Sequence, residues 1–176
     1  MQMKRKLLIY IPIALLFAAI GAYFNLQRLE PSSPETLAVN QLFAQPMVTA
    51  NGIQVPLSQW KGKPLIVNFW ATWCGPCVEE MPELNNMQVE LLKKNIQIIG
   101  VGIDSQENIT KFADKYKITY PLYVAGTDGT ALLRQFGNAA GGLPFTLLIG
   151  ADGKVKKTLL GGINFDELKK DLELLQ

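Results

Sequence analysis

The chain has 176 residues, 48% of them hydrophobic, so it is long enough for one domain of ordinary size and a short additional segment. It has 17 Lys and Arg residues against 15 Asp and Glu residues, a formal net charge of +2. Three of the basic residues lie within the first 24 residues, and the remainder carries a formal charge of −1. This balance argues against nucleic acid as a partner.

The first 24 residues predict a membrane anchor. Lys4-Arg5-Lys6 precedes an uncharged run over residues 7–24 that is rich in Leu, Ile, Ala and Phe. Its length is close to that needed to cross a bilayer core, and the basic flank predicts a cytoplasmic N-terminus. A cleaved signal peptide is the alternative, because Ala19-Ile20-Gly21 loosely fits a cleavage site. We expect a retained anchor.

A polar linker is expected between this anchor and the rest of the chain. Residues 25–40 include Pro31, Ser32, Ser33 and Pro34, which suit an extended tether. The linker leads to a single domain over residues 41–176, which the predicted topology places on the extracytoplasmic side of the membrane.

Strand and helix patterns alternate along the domain. Asn51-Gly52 predicts a hairpin between residues 47–50 and 53–55. The run Leu65–Trp70 is apolar on both faces apart from Asn68, as expected of a central strand. A helix is predicted from about Cys74 to Asn95, with Leu84, Met87, Leu91 and Leu92 facing the core.

The remaining elements continue this alternation. We predict strands at 96–103 and 121–124, helices at 107–116 and 130–136, a hairpin of 145–149 with 154–160, and a helix at 165–175. Asn164 is expected to cap the last helix, with Glu167 completing a capping box. The order of elements indicates an α/β fold, a three-layer α/β/α sandwich with a mixed central sheet.

The only two cysteines of the chain are Cys74 and Cys77, directly after the predicted central strand. At the start of a helix, a thiol meets unpaired backbone N–H groups and the positive end of the helix dipole. This setting favours the thiolate, which is the nucleophile in disulfide exchange. Cys74 is therefore the expected nucleophile and Cys77 the resolving residue of a redox-active pair.

Other uses of the cysteine pair fit the sequence less well. A closed zinc site needs more Cys or His ligands, and the chain has neither a third Cys nor any His. A structural disulfide would close a very short loop and would stabilise the fold little. An inert disulfide and copper handling remain the alternatives to redox function.

The segment Asn68–Pro82, with the sequence NFWATWCGPCVEEMP, resembles the active-site segment of the thioredoxin superfamily. Within that superfamily it is most similar to the membrane-anchored TlpA/ResA/CcmG-type thiol–disulfide oxidoreductases. The resemblance extends from about Gln41 to the C-terminus and is specific again at Gly142-Leu143-Pro144. It implies a thioredoxin-like fold with a TlpA/ResA-type insertion, which here falls within about residues 104–135.

The resemblance also implies a substrate groove around the cysteines. Trp73 is expected to form an exposed apolar rim, and the Gly75-Pro76 dipeptide tends to accompany reducing enzymes in the family. Leu143 would offer backbone groups to an extended substrate, and Pro144 would follow a cis peptide bond beside the disulfide. An ordinary trans proline is the alternative. We expect Trp70 in the core and Phe145 beneath the motif.

Glu80 is the candidate acid–base residue. In thioredoxin itself a buried aspartate occupies the position of Asn68, and asparagine cannot accept the proton of the resolving thiol. In TlpA/ResA-like proteins a glutamate three residues after the second cysteine is thought to take this role, and Glu80 matches it. Burial would raise its pKa towards neutrality. A solvated carboxylate is the alternative, as expected for Glu79 and Glu83.

Together these features predict a membrane-anchored, extracytoplasmic oxidoreductase that exchanges the Cys74–Cys77 pair with exported client proteins. The resemblance implies recycling by a membrane thiol-reducing partner and, as one client class, apocytochromes c during haem attachment. We expect no cofactor, no metal and a monomer. A non-catalytic thioredoxin-fold binding module with an inert disulfide and a thiol peroxidase are the alternatives.

Overall fold

The computed structural model describes residues 15–23 and 33–175. The chain divides into two compact units, Met1–Ser32 and Ser33–Gln176. In the first unit, residues 15–23 are helical and their large apolar side chains are exposed. Residues 7–14 and 24 of the predicted anchor, and residues 25–32 of the predicted linker, lie outside the described residues. Among the described residues, no helix has both the length and the apolar character required to cross a membrane.

The second unit is built on a seven-stranded mixed sheet with the order β2-β1-β5-β4-β3-β6-β7. The strands are β1 Pro46–Thr49, β2 Gln54–Pro56, β3 Leu65–Trp70, β4 Gln97–Gly102, β5 Leu122–Val124, β6 Phe145–Ile149 and β7 Val155–Leu160. The pairs β3–β4 and β4–β5 are parallel, and the other pairs are antiparallel. The predicted hairpins β1–β2 and β6–β7 are both present.

Five α-helices accompany the sheet in this unit. They are α1 Pro34–Ala44, α2 Gly75–Lys93, α3 Gln106–Tyr116, α4 Gly129–Gln135 and α5 Phe165–Asp171, with 3₁₀ turns at Leu57–Trp60, Gly126–Asp128 and Leu172–Leu175. The predicted final helix is thus an α-helix that continues as a 3₁₀ turn. Asn164 caps it by accepting hydrogen bonds from the N–H groups of Asp166 and Glu167.

The sheet separates two apolar clusters, because side chains alternate between its faces. On β3, Leu65, Val67 and Phe69 join the cluster covered by α1 and α4. Ile66 and Trp70 face the other cluster, which is covered by α2, α3 and α5 and contains both cysteines. We call this second side the active-site face. The arrangement confirms the expected α/β/α sandwich, and all six residues of β3 are buried.

The domain begins earlier than residue 41, where the sequence analysis placed its start. Ser33 caps α1 by accepting a hydrogen bond from the N–H of Thr36, and Pro34 occupies the first turn. The helix then buries Ala38, Val39, Leu42 and Phe43 in the core opposite the active-site face. Residues 34–40 are therefore a packed helix of the domain and not a polar tether.

Two side chains also depart from expectation. Leu92 of α2 is exposed, although the helical pattern placed it among the core residues. Phe145 is buried, but it packs against Phe69 on the face opposite the cysteines, with ring centroids 6.2 Å apart. It shares that face because Phe145 and Phe69 are directly paired across β3 and β6.

Candidate active site

Cys74 and Cys77 form a disulfide at the N-terminus of α2, with their Cα atoms 5.3 Å apart. Cys74 is the N-cap residue, and its Sγ accepts a hydrogen bond from the backbone N–H of Cys77 at 3.3 Å. Cys74 is 6% exposed, whereas Cys77 is completely buried. Only Cys74 is therefore reachable from solvent, and it sits where unpaired N–H groups stabilise a negative charge.

The local sequence explains how this corner forms. The N–H of Cys74 bonds to the carbonyl of Ala71, which turns the chain out of β3. Gly75 and Pro76 occupy the first turn of α2, where a proline loses no intrahelical hydrogen bond. Both are exposed beside Cys74, as a substrate groove would require. Trp73 next to them is 70% exposed, as expected.

The peptide bond between Leu143 and Pro144 is cis, as predicted. The sheet brings it to the cysteines, because Phe145 pairs with Phe69 and Pro144 therefore lies beside the end of β3. Leu143 packs against the apolar cluster that contains both cysteines. The two distant segments that carry the predicted groove residues thus lie at the same end of β3 and β6.

Asn138 fixes the loop before the cis peptide, a role that the sequence analysis did not identify. Its side-chain amide donates to the carbonyl of Gly142 at 2.8 Å and accepts from the N–H of Gly142 at 3.1 Å. Gly141, at φ +67°, makes the turn between them and donates its N–H to the carbonyl of Asn138. An asparagine within a glycine-rich loop was the available signal.

Replacing Asn138 by alanine is expected to destabilise the domain by about 1–3 kcal/mol, because both polar groups of Gly142 lose their buried partner. Denaturant unfolding of the oxidised protein would measure the loss. Asn86→Ala is the control, since Asn86 is exposed on α2 and makes no hydrogen bond through its side chain among the described residues. Equal stability of the two variants would show that Asn138 does not hold this loop.

Glu80 is 5% exposed and lies on α2, one turn after Cys77. Its Oε1 accepts a hydrogen bond from Asn68 Nδ2 at 2.8 Å, and its Oε2 accepts one from the N–H of Ile163 at 2.9 Å. Burial raises the pKa of Glu80, and the hydrogen bonds from Ile163 and Asn68 offset part of this rise. Glu80 is thus a buried carboxyl group next to the resolving cysteine, unlike the exposed Glu79 and Glu83.

Asn68 occupies the position beneath Glu80 on the central strand. Its Nδ2 donates to Glu80 and also to Thr146 Oγ1 at 3.0 Å, the residue opposite it on β6. The amide group therefore orients the carboxyl group from below. The sequence analysis recognised Asn68 but missed Thr146 and Ile163. A polar residue within the apolar strand β6 was the signal for Thr146.

Asp104 anchors the loop that carries the cysteines. It lies just after β4, and its carboxylate accepts hydrogen bonds from the hydroxyl of Thr72, from the N–H of Ser105 at 2.7 Å and from Asn108 Nδ2 at 2.8 Å. Burial opposes ionisation of Asp104, but these hydrogen bonds outweigh it and lower its pKa. The network ties the segment before Cys74 to the start of α3.

The assembled groups are suited to thiol–disulfide exchange. One sulfur is accessible and held at a helix N-terminus, the other is buried, and a carboxyl group that can carry a proton lies one turn away. In the described part of the chain, no three His, Cys, Asp or Glu side chains are grouped so that they could hold a metal ion.

A family model described as Redoxin matches residues 35–172. The chain belongs to the redoxin family. Over 173 residues it is 31% identical to the thiol-disulfide oxidoreductase ResA of a Bacillus cereus strain, an alignment that covers 97% of this chain and 95% of that protein. ResA of Geobacillus thermodenitrificans is 35% identical over 121 residues, 68% of this chain and 67% of the relative.

A solved structure has the same fold as this redoxin. A thioredoxin-related protein from Neisseria meningitidis serogroup B superposes with a TM-score of 0.65 at 28% identity, covering 73% of this chain and 97% of that one. The redoxin described here is therefore a thiol–disulfide oxidoreductase of the TlpA/ResA/CcmG-like group, with a thioredoxin-like α/β fold and a mixed sheet.

Proposed function

We propose that this protein reduces disulfide bonds of exported client proteins on the extracytoplasmic side of a membrane. The observation that carries the proposal is the Cys74–Cys77 disulfide, with one accessible sulfur at a helix N-terminus and the buried carboxyl group of Glu80 behind it. Its test is the turnover of a protein disulfide in the presence of dithiothreitol, with the cysteine variants described in the Discussion.

The reduced protein begins the reaction. The Cys74 thiolate attacks one sulfur of the client disulfide, a mixed disulfide forms, and the first client sulfur leaves as a thiolate. The thiol of Cys77 then gives its proton to the Glu80 carboxylate and attacks the Cys74 sulfur. The second client sulfur is released as a thiolate, and both client thiolates take up protons. The client has gained two electrons, and the protein is left with the Cys74–Cys77 disulfide.

The groove residues would hold the client during this exchange. Trp73, Gly75 and Pro76 are exposed around Cys74. The cis peptide before Pro144 lies beside the end of β3 that leads to these residues. In the described part of the chain, no protein group is hydrogen-bonded to the backbone of Leu143. An extended client segment could therefore pair with Leu143 while its cysteine approaches Cys74.

We infer that a second protein returns the pair to the dithiol state, because each turnover leaves the disulfide behind. A membrane thiol-reducing partner supplies the two electrons by the same exchange at Cys74. Apocytochromes c are the client class that the resemblance to the TlpA/ResA/CcmG group suggests. Mass spectrometry of the mixed disulfides held by a Cys77→Ser variant would identify the clients directly.

Membrane attachment through residues 7–24 completes the proposal. We expect the full-length protein in the membrane pellet after a carbonate wash, at its uncleaved mass, because an uncharged run behind Lys4-Arg5-Lys6 favours a retained anchor. A chain that starts at residue 25 is the control and should stay in the supernatant. Recovery of a soluble protein that begins near Ala22 would show that the segment is a cleaved signal peptide.

A further inference from the structure

Tyr120 is a buried phenol on the active-site face that the mechanism above does not use. It lies just before β5, is 2% exposed and packs in the cluster that contains both cysteines. Its hydroxyl group has no hydrogen-bond partner among the described residues. Buried polar groups are nearly always paired, so an unpaired hydroxyl in this position calls for an explanation.

The sheet register places Tyr120 beside the residue that orients Glu80. Gly100 on β4 is paired with Asn68 on β3, and neighbouring strands are about 4.8 Å apart. A Cβ atom at Gly100 would lie 3.2 Å from Tyr120 Cε2 and 3.2 Å from Trp70 Nε1. Leu122 Cδ2 is nearer still, at 2.5 Å, so the Leu122 side chain, the phenol ring and the indole edge together fill the space that the glycine leaves next to Asn68.

Several buried polar atoms around this position lack a hydrogen-bond partner among the described residues. Besides the hydroxyl of Tyr120, Asn68 Oδ1 and Trp70 Nε1 also have no hydrogen-bond partner in the described part of the chain. The position of the hydrogen on a hydroxyl group is set by its partners, and without a fixed partner it can rotate. In a buried site of low dielectric, the dipole of such a group acts strongly on a nearby charge.

Building on the acid–base role proposed for Glu80, we propose that Tyr120 is a positioning residue for the Glu80 proton. Its free hydroxyl turns its dipole towards the carboxylate when Glu80 is ionised and away from it when Glu80 carries the proton. Burial raises the pKa of Tyr120, and the negative charge of Glu80 raises it further, so the phenol stays protonated and available as a donor.

Few other titratable groups face this position. Cys74 and Cys77 belong to the same helix as Glu80, where Glu79 and Glu83 are exposed. On α3, Tyr116 stacks on Phe112 and lies beneath the ammonium group of Lys115. On β7 and α5, Lys157 and Asp171 form an ion pair at 2.7 Å, and Glu167 is exposed. Tyr120 is therefore the one titratable neighbour in the described residues that is both fully buried and without a hydrogen bond.

The test uses the full-length protein in its reduced form and the pH dependence of its alkylation rate. Tyr120→Phe removes the hydroxyl and keeps the ring. We expect it to move the Glu80-dependent limb of the profile to higher pH by about half a unit or more, since the carboxylate loses a stabilising dipole. The same substitution in a Glu80→Gln background should cause no shift.

Tyr123→Phe is the matched control. Tyr123 is equally buried, but it lies on the opposite face, where its hydroxyl accepts hydrogen bonds from Trp60 Nε1 at 2.8 Å and from Gln59 Nε2 at 3.3 Å. Its loss should lower the melting temperature and leave the alkylation profile unchanged. Tyr120→Phe should shift the alkylation profile and leave the melting temperature unchanged, because removal of an unpaired buried hydroxyl costs no stability.

The outcomes separate this inference from the function on which it rests. A profile of Tyr120→Phe that coincides with wild type, while Glu80→Gln shifts the profile, would overturn the role of Tyr120 alone. An equal shift of Tyr120→Phe in the Glu80→Gln background would also overturn it, because the tyrosine would then act on the cysteines directly. If Glu80→Gln itself leaves the profile unchanged, Glu80 has no acid–base role, and the proposed function of the carboxyl group fails.

Discussion

Cys74→Ser is expected to reduce protein-disulfide turnover to the rate of dithiothreitol alone, whereas Cys77→Ser should accumulate mixed disulfides with its substrate. The two cysteines differ in the structure in a way that assigns their roles. Cys74 is 6% exposed and Cys77 is completely buried, and the sulfur of Cys74 accepts a hydrogen bond from the N–H of Cys77 at the start of α2. A serine at position 74 offers no thiolate, so the first exchange step cannot occur.

The fate of the mixed disulfide distinguishes the second variant. Without the thiol of Cys77, the bond between Cys74 and the client persists until an external thiol resolves it. Turnover of a model protein disulfide and non-reducing gels of the adducts would measure both effects. Equal turnover of wild type and Cys74→Ser would contradict the redox assignment of this pair. A Trp73→Ala variant is a useful comparison, since it alters the groove and leaves both thiols in place.

Glu80→Gln is expected to slow the resolving step by about 100-fold, the lower end of what general acid–base catalysis contributes. Glutamine keeps the shape of the side chain but cannot take the proton of Cys77. Burial holds the pKa of Glu80 above its ordinary value of 4.5, so wild type gains the carboxylate only as the pH rises through this raised pKa. The corresponding limb of the pH profile should be absent in the variant.

The same pKa shift has a consequence for stability. A carboxyl group whose pKa is raised in the folded protein favours folding below its unfolded pKa, and this contribution is lost as the pH rises through the folded pKa. We therefore expect the stability of wild type to fall relative to Glu80→Gln as the pH rises above about 4.5, the ordinary pKa of glutamate.

Alkylation rates of the reduced proteins between about pH 5 and 10, a span that includes the pKa of a free thiol, would decide the role of Glu80. If Glu80 takes the proton of Cys77, we expect the thiols and the carboxyl group to titrate as a coupled set, and the profile would then report the pKa values of that set. Glu79→Gln is the control on the neighbouring, exposed helix position. Superimposable profiles of wild type and Glu80→Gln would make Glu80 an ordinary carboxylate.

Local signals in the sequence were sufficient to predict most strands and helices of the domain. The apolar run of β3, the Asn51-Gly52 turn and the cap at Asn164 each act over a few residues, and each predicted its element correctly. The start of α1 carried an equally local signal, because Ser33 followed by Pro34 is a typical helix start. It was interpreted as a tether since the apolar residues that follow gain their burial only against the sheet.

Local sequence signals predicted only part of the candidate site. Cys74, Cys77 and Glu80 lie within one stretch of seven residues, where helical spacing alone puts them close together. The sequence could not show what surrounds Glu80. Its hydrogen bonds come from Asn68 on β3 and from Ile163, 83 residues further along the chain.

The sequence by itself determined the redox pair, the two-sided burial of β3 and the alternation of strands and helices, because these depend on residues close to one another in the chain. Only the tertiary structure decided which polar groups meet beneath α2. The order of strands sets Gly100 beside Asn68 and thereby opens the space that Leu122, Trp70 and Tyr120 share. The same order places Phe145 away from the cysteines. Such neighbours are fixed by packing across the whole sheet, and no local pattern encodes them.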